Sequence, residues 1–165
     1  MNFPKTPGQC KYMLALRSNK PIVIGTGPAG SGKTTLACQL ALDHVYKFQR
    51  PKIILTRPIV TVDEDMGYLP GDMDQKMEPW TKPMYDILGN FFNHTQMDRL
   101  ITVEPFVYMR GRTFTDTLII ADEMQNATPN QMTMLLTRVG EGTNFALTVD
   151  SEQRYLGEEN VLINL

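Results

Sequence analysis

Residues Gly27-Pro28-Ala29-Gly30-Ser31-Gly32-Lys33-Thr34 satisfy the phosphate-binding template of two fixed glycines, a lysine and a hydroxyl residue. Glycine is needed at both ends because the backbone must bend around phosphates with its N–H groups turned inward, and side chains obstruct that bend. Lys33 then reaches the β- and γ-phosphates, Thr34 offers a hydroxyl to Mg²⁺, and Thr35 follows on the helix whose N-terminus favours anions. A chance match in a chain of this length is on the order of one in a hundred. The segment is therefore read as a nucleoside triphosphate site contacted by Gly27 through Thr35.

A second chemical element lies downstream. Thr117-Leu118-Ile119-Ile120-Ala121-Asp122-Glu123 is an apolar run ending in two carboxylates, at the edge where parallel sheets present their ligands. In this reading Asp122 holds Mg²⁺, through water, and Glu123 orients or activates the attacking water. Gln125, two places after Glu123, and Gln153, three places after Asp150, are positioned to report the γ-phosphate. A neutral amide can bond a phosphate oxygen and lose that partner after hydrolysis. No Asn-Lys-x-Asp motif occurs, which argues against a GTPase.

Strand, loop and helix must carry these residues. Lys20 to Ile24 is a short β-branched run before the loop, and Leu36, Leu40, His44 and Phe48 keep a four-residue helical spacing after it. Strands are expected at 21–26, 52–56, 101–104, 117–122 and 144–149, alternating with helical segments, the pattern of an α/β fold with a mainly parallel sheet covered by helices. Thr128, Pro129 and Gln131 form a capping box ahead of an apolar stripe of Met132, Leu135, Leu136 and Val139. Residues 57–82, rich in proline, glycine and acid, read as a long functional loop.

Bulk properties set limits. The chain has 165 residues, 42% of them hydrophobic, enough for one sizeable core and hardly two, so one domain over 1–165 is expected. A net charge of −2 supplies no global attraction to polyanions, so nucleic-acid contact must come from a local patch. Cys10 and Cys38 lack zinc spacing and read as reduced, buried thiols, and the 11 methionines read as core filler. With no leader pattern and no long apolar run, a soluble cytoplasmic protein without a membrane partner is expected.

Taken together, Gly27–Thr34, Leu55-Thr56-Arg57-Pro58, Gly67-Tyr68-Leu69-Pro70-Gly71-Asp72, Met109-Arg110-Gly111-Arg112-Thr113 and Asp122-Glu123-Met124-Gln125-Asn126 resemble the PhoH-like ATPases, relatives of the superfamily 1 helicase core. The resemblance covers most of residues 9–153. It implies a three-layer RecA-like P-loop fold, ATP hydrolysis with Mg²⁺, and RNA or single-stranded nucleic acid as partner in ring-shaped homo-oligomers. By the same resemblance Gln9 reads adenine, with Tyr12 packing against the base, and Arg57 touches nucleic acid or phosphate. Arg110 and Arg112 would stabilise transition-state charge, in a neighbouring subunit if rings form. Two departures stand out: Val149-Asp150 replaces the family's Gly-Asp, and the family pattern continues past Leu165.

Two weaker groupings and two other function classes complete the reading. Asp63, Glu64, Asp65, Asp72 and Asp74 are more simply solvated than metal-bound. Lys76, Trp80, Lys82 and Tyr85 interleave cations with aromatics, as a stacking platform or as packing under a loop. A small-molecule kinase would use the same phosphate loop, although the Asp122-Glu123 pair speaks against it. A nucleotide-dependent binding switch with little turnover is the other alternative.

Overall fold

The computed structural model describes residues 4–58 and 73–152. Within them β1 (Ile22–Gly27), β2 (Lys52–Thr56), β3 (Ile101–Val103), β4 (Thr117–Ala121) and β5 (Asn144–Asp150) form a parallel sheet in the order β1-β5-β4-β2-β3. All five expected strands are present, with ends shifted by one residue at most. The helices are α1 (Pro7–Arg17), α2 (Lys33–Tyr46), α3 (Met73–Leu88), α4 (His94–Leu100), α5 (Phe106–Met109) and α6 (Pro129–Leu136).

Parallel strands need crossovers, which cover both faces of the sheet, so side chains on each face are buried. Along β4 every residue is buried, and successive residues alternate between two cores. Leu118 and Ile120 join Ile53, Leu55 and Ala146 against Leu36 and Leu40 of α2, Leu16 of α1 and Leu88 of α3. Ile119 and Ala121 join Ile54, Phe145 and Leu147 against Met109, Met124, Met132 and Leu135 on the opposite face. The result is three layers, with each buried Leu or Ile contributing about 2 kcal/mol. Three methionines do fill the core beside β4, as their flexible side chains allow.

Four local expectations are corrected. Residues 73–82 are helical rather than loop, even though Pro79 and Pro83 each remove a backbone donor from the body of α3. Burial overrides that cost: Met84 and Leu88 are wholly buried. Phe48 lies beyond the end of α2 and is 41% exposed, and Val139 lies beyond α6, where it forms an isolated bridge with Phe114. Cys10 is exposed on α1, whereas Cys38 is buried and its thiol is pushed up by burial and by nearby Asp122. The segment 59–72, which holds Gly67–Asp72 and most of the acidic cluster, lies outside the described residues.

One buried polar group makes stability depend on pH. His44 is 1% exposed on α2, and its Nε2 has no partner among the described residues. Burial, and then the nearby Arg50 charge, lower its pKa from 6.5 to about 4, against the opposing pull of Asp116. The unfolded chain therefore takes up this proton first. Stability from the neutral ring is complete above pH 6.5 and drains away as pH falls towards 4. The expected loss is about 2 kcal/mol by pH 5. Urea melts at pH 7 and pH 5 check this: the difference should shrink in His44→Gln, and an unchanged difference would show that other groups carry it.

Candidate nucleotide site at the carboxyl edge of the sheet

β1 delivers the chain into the glycine loop, and α2 begins directly after it. Gly32 caps α2 with φ 84°, a left-handed conformation that disfavours any side chain, and Gly30 shares it at φ 73°. Pro28, Ala29 and Gly30 form the exposed arc of the loop, while Ser31 through Thr35 are partly buried. The Lys33 ammonium donates to Gly27 O at 2.8 Å, to Pro28 O at 2.7 Å and to Ser31 Oγ at 3.2 Å. A cation held over a ring of loop oxygens and N–H groups is suited to exchange those contacts for phosphate oxygens.

β5 separates β1 from β4, and Thr34 closes the gap between them. Its hydroxyl donates to Asp122 Oδ1 at 2.7 Å. With the hydrogen so committed, the Thr34 oxygen keeps its lone pairs for a cation. A hydroxyl and a carboxylate are hard oxygen donors of the kind Mg²⁺ takes, together with water and substrate phosphates. No group of three or more His, Cys, Asp or Glu suited to a metal occurs among the described residues.

Asp122 and Glu123 would point to opposite sides if the strand simply continued. Glu123 instead adopts φ 57°, ψ 42°, a left-handed conformation costing roughly 1–2 kcal/mol in a non-glycine residue. That turn starts the short 3-10 segment Met124–Asn126 and breaks the alternation. The Glu123 carboxylate accepts from Gln125 Nε2 and lies 3.6 Å from Arg57 Nη2 at the end of β2. Gln125 is buried, and its Oε1 accepts from Asp150 N at 2.9 Å. The amide thus links the carboxylate to β5 rather than standing on the surface.

Thr148 was not apparent in the sequence. It is 1% exposed on β5, donates its hydroxyl to Asp122 Oδ1, and accepts from Glu123 N at 3.1 Å. One side chain therefore fixes both members of the acidic pair. The signal was a hydroxyl residue within an otherwise apolar strand, two places before Asp150.

Gln9 serves two ends. Its Oε1 accepts from Thr6 N at 3.2 Å and Lys5 N at 2.6 Å, completing the capping box of α1, and its Nε2 donates to Ser31 O at 2.9 Å. It thereby joins α1 to the phosphate loop along a cleft of about 470 Å³ lined in part by Tyr12, Thr26, Pro28 and Lys33. Tyr12 packs over Gly25, where any Cβ would come within 2.4 Å of its ring, and its hydroxyl donates to Leu147 O at 3.4 Å. Burial, with Asp122 next, raises the tyrosine pKa well above its usual value, so the phenol stays protonated.

The remaining expected residues lie elsewhere. Arg110 is exposed after α5, and Arg112 pairs with Glu104 while its guanidinium stacks 4.9 Å from the Phe114 ring. Glu104 follows β3, at the opposite end of the sheet from β1, about 19 Å away at the usual strand spacing. The Glu104 pairing thus holds Arg112 away from Lys33 within this chain. Gln153 lies outside the described residues. Lys82 pairs with Asp86 at 3.6 Å and Tyr85 packs on the core, while the Lys76 and Trp80 side chains lie outside the described residues.

Residues 3–162 match the family described as PhoH-like protein. The chain is 46% identical over 154 residues to a PhoH-like protein of Bacillus subtilis, covering 90% of this chain and 48% of that protein. It is 43% identical over 155 residues to a PhoH-like protein of Mycobacterium tuberculosis, and 38% identical over 156 residues to Protein PhoH of Escherichia coli. The chain spans about half the length of these relatives. No helix among the described residues is long and apolar enough to cross a membrane. With its phosphate loop, acidic strand end and parallel sheet, the chain belongs to the PhoH-like protein family and is a P-loop nucleotide-binding protein.

Proposed function

We propose that the chain hydrolyses ATP with Mg²⁺ and that single-stranded nucleic acid, RNA in particular, controls or uses that turnover. The observation that carries hydrolysis is the contact of Thr34 with Asp122 at 2.7 Å, with Glu123 turned beside it into a left-handed conformation. A switch without chemistry needs the first contact but gains nothing from the strained glutamate.

Lys33 and the loop N–H groups hold the phosphates, and Gln9 couples the adenine side of the cleft to the loop through Ser31. Thr34 and Asp122 hold the cation, which when bound neutralises developing charge on the β- and γ-phosphates. Glu123 accepts the proton of the attacking water as its oxygen bonds to the γ-phosphorus. The bond from that phosphorus to the bridging oxygen breaks, and ADP leaves with the electron pair. Gln125, fixed at Asp150, senses the change next to Glu123, and Gln153 is proposed to sense it from beyond β5. A small-molecule kinase would leave Glu123 without a role.

Arg112 is held by Glu104, which follows β3 at the sheet edge away from β1, and Arg110 is exposed two residues before it. They are proposed to serve a neighbouring copy in a ring, where an arginine supplied in trans stabilises transition-state charge.

Phosphate release from Mg²⁺-ATP, with and without oligouridylate, tests the coupling. Stimulation of about fivefold is expected, the effect on a rate of about 1 kcal/mol. Turnover indifferent to oligouridylate, with no complex formed, would leave an ATPase and remove the nucleic acid.

A further inference from the structure

We infer that the cleft beside α1 does not distinguish adenine from guanine: Gln9 presents the base with one N–H and no acceptor, so the chain binds both purine nucleotides with similar affinity. The inference rests on reading that cleft as the seat of the base, and it is independent of hydrolysis at Glu123.

An amide selects adenine by pairing both of its ends with one edge of the base. Its N–H donates to N7, and its oxygen accepts from the N6 amino group. Guanine offers the same N7 but carries a carbonyl, O6, where adenine has the amino group. All discrimination therefore lies with the amide oxygen.

In Gln9 that oxygen is occupied. Oε1 accepts from Lys5 N at 2.6 Å and from Thr6 N at 3.2 Å, one donor for each lone pair. These are contacts of the capping box that starts α1, so the local signal that begins the helix consumes the acceptor that adenine would need. The other end of the amide donates to Ser31 O at 2.9 Å, which leaves one Nε2 hydrogen among the described residues. Turning the amide over offers no escape, because the NH2 group would then face two backbone donors and the oxygen would face the Ser31 carbonyl. An amino group that took Oε1 would displace a backbone N–H. One hydrogen bond is exchanged for another, with no net preference.

The other polar side chains that α1 and its cap bring to the cleft are Thr6, Lys11 and Tyr12. Thr6 Oγ1 accepts from Gln9 N at 3.2 Å and keeps a rotatable hydroxyl that serves an amino group or a carbonyl alike. Lys11 is exposed and carries donors only, which suit O6 rather than N6. Tyr12 gives its hydroxyl to Leu147 O, and an aromatic face meets any base equally well.

Displacement of a ribose-labelled fluorescent ADP from the full chain in Mg²⁺ tests the inference without turnover. The competitors are ADP, GDP and deaza-ADP, in which C–H replaces N7. ADP and GDP should agree within about threefold, and deaza-ADP should bind about fivefold more weakly, the loss of one neutral hydrogen bond. In Gln9→Ala, with folding checked by thermal melts, the ratio of ADP to deaza-ADP should fall to about one. Gln9 also holds Ser31, so a weakening common to all three competitors reports the phosphate loop and leaves that ratio untouched. ADP binding more than about tenfold tighter than GDP would overturn the inference and make Gln9 an adenine reader. Deaza-ADP equal to ADP in the wild type would overturn the N7 contact, a result that stands even if Gln9→Ala does not fold. A fluorescent ADP that fails to bind would overturn the cleft as the seat of the base, whereas ADP binding without ATP turnover would count against hydrolysis alone.

Discussion

Glu123→Gln is expected to lower kcat for ATP by about 10²- to 10⁴-fold while leaving ATP affinity within a factor of a few. The amide has nearly the same shape and still accepts from Gln125, so the left-handed turn and the position of Asp122 should persist. What it lacks is the ability to take a proton from water. Fluorescent ATP binding by stopped flow, beside single-turnover phosphate release, separates the two effects. Equal loss of binding would place Glu123 in the nucleotide pocket rather than at the reacting water.

The second large effect is expected at Thr148. Valine preserves its volume and branching but removes the hydroxyl that donates to Asp122 and accepts from Glu123 N. Asp122, 4% exposed, then keeps one hydroxyl partner instead of two on Oδ1, and a backbone N–H loses its acceptor. Leaving such groups unsatisfied costs about 1–3 kcal/mol of stability. Because the same residue aligns both carboxylates, kcat should fall about 10- to 100-fold and the Mg²⁺ concentration for half-maximal rate should rise. Thr148→Ser retains the hydroxyl and should recover most of the rate. A Thr148→Val variant that loses stability but keeps its kcat and Mg²⁺ dependence would make Thr148 a packing residue only.

These effects rest on residues of unequal visibility in the sequence. The phosphate loop and the Asp122-Glu123 pair were legible because their chemistry is local: a bend that needs glycine, and a β-branched run that stops at two acids. The five strands were legible for the same reason, since strands buried on both faces read as short apolar runs. The capping box of α6 was read from Thr128 and Gln131, and the same signal at Thr6 and Gln9, with Pro7 at the first helical position, marks α1. There Gln9 has a structural duty as well as an expected ligand.

What the sequence hid is long-range. Arg57 and Glu123 are 66 positions apart, and only the placing of β2 beside β4 brings them together. Thr148 reaches Asp122 because β5 lies between β1 and β4, an order that no local pattern encodes. Local signals also misled in the first part of α3, where the proline and acid content of 57–82 argued for a loop and burial of Met84 and Leu88 prevailed. Arg110 and Arg112 were expected by resemblance to stabilise transition-state charge, in a neighbouring subunit if rings form; no local pattern shows that Arg112 pairs with Glu104, which follows β3 at the sheet edge away from β1.

The most direct measurement is phosphate release from ATP by the wild-type chain across a Mg²⁺ titration, in the presence of oligouridylate, beside Lys33→Ala. Turnover that saturates with Mg²⁺, stops with a chelator and disappears in Lys33→Ala is the expected result. Tight ATP binding with no phosphate release at any Mg²⁺ concentration would contradict hydrolysis at the Thr34–Asp122–Glu123 centre.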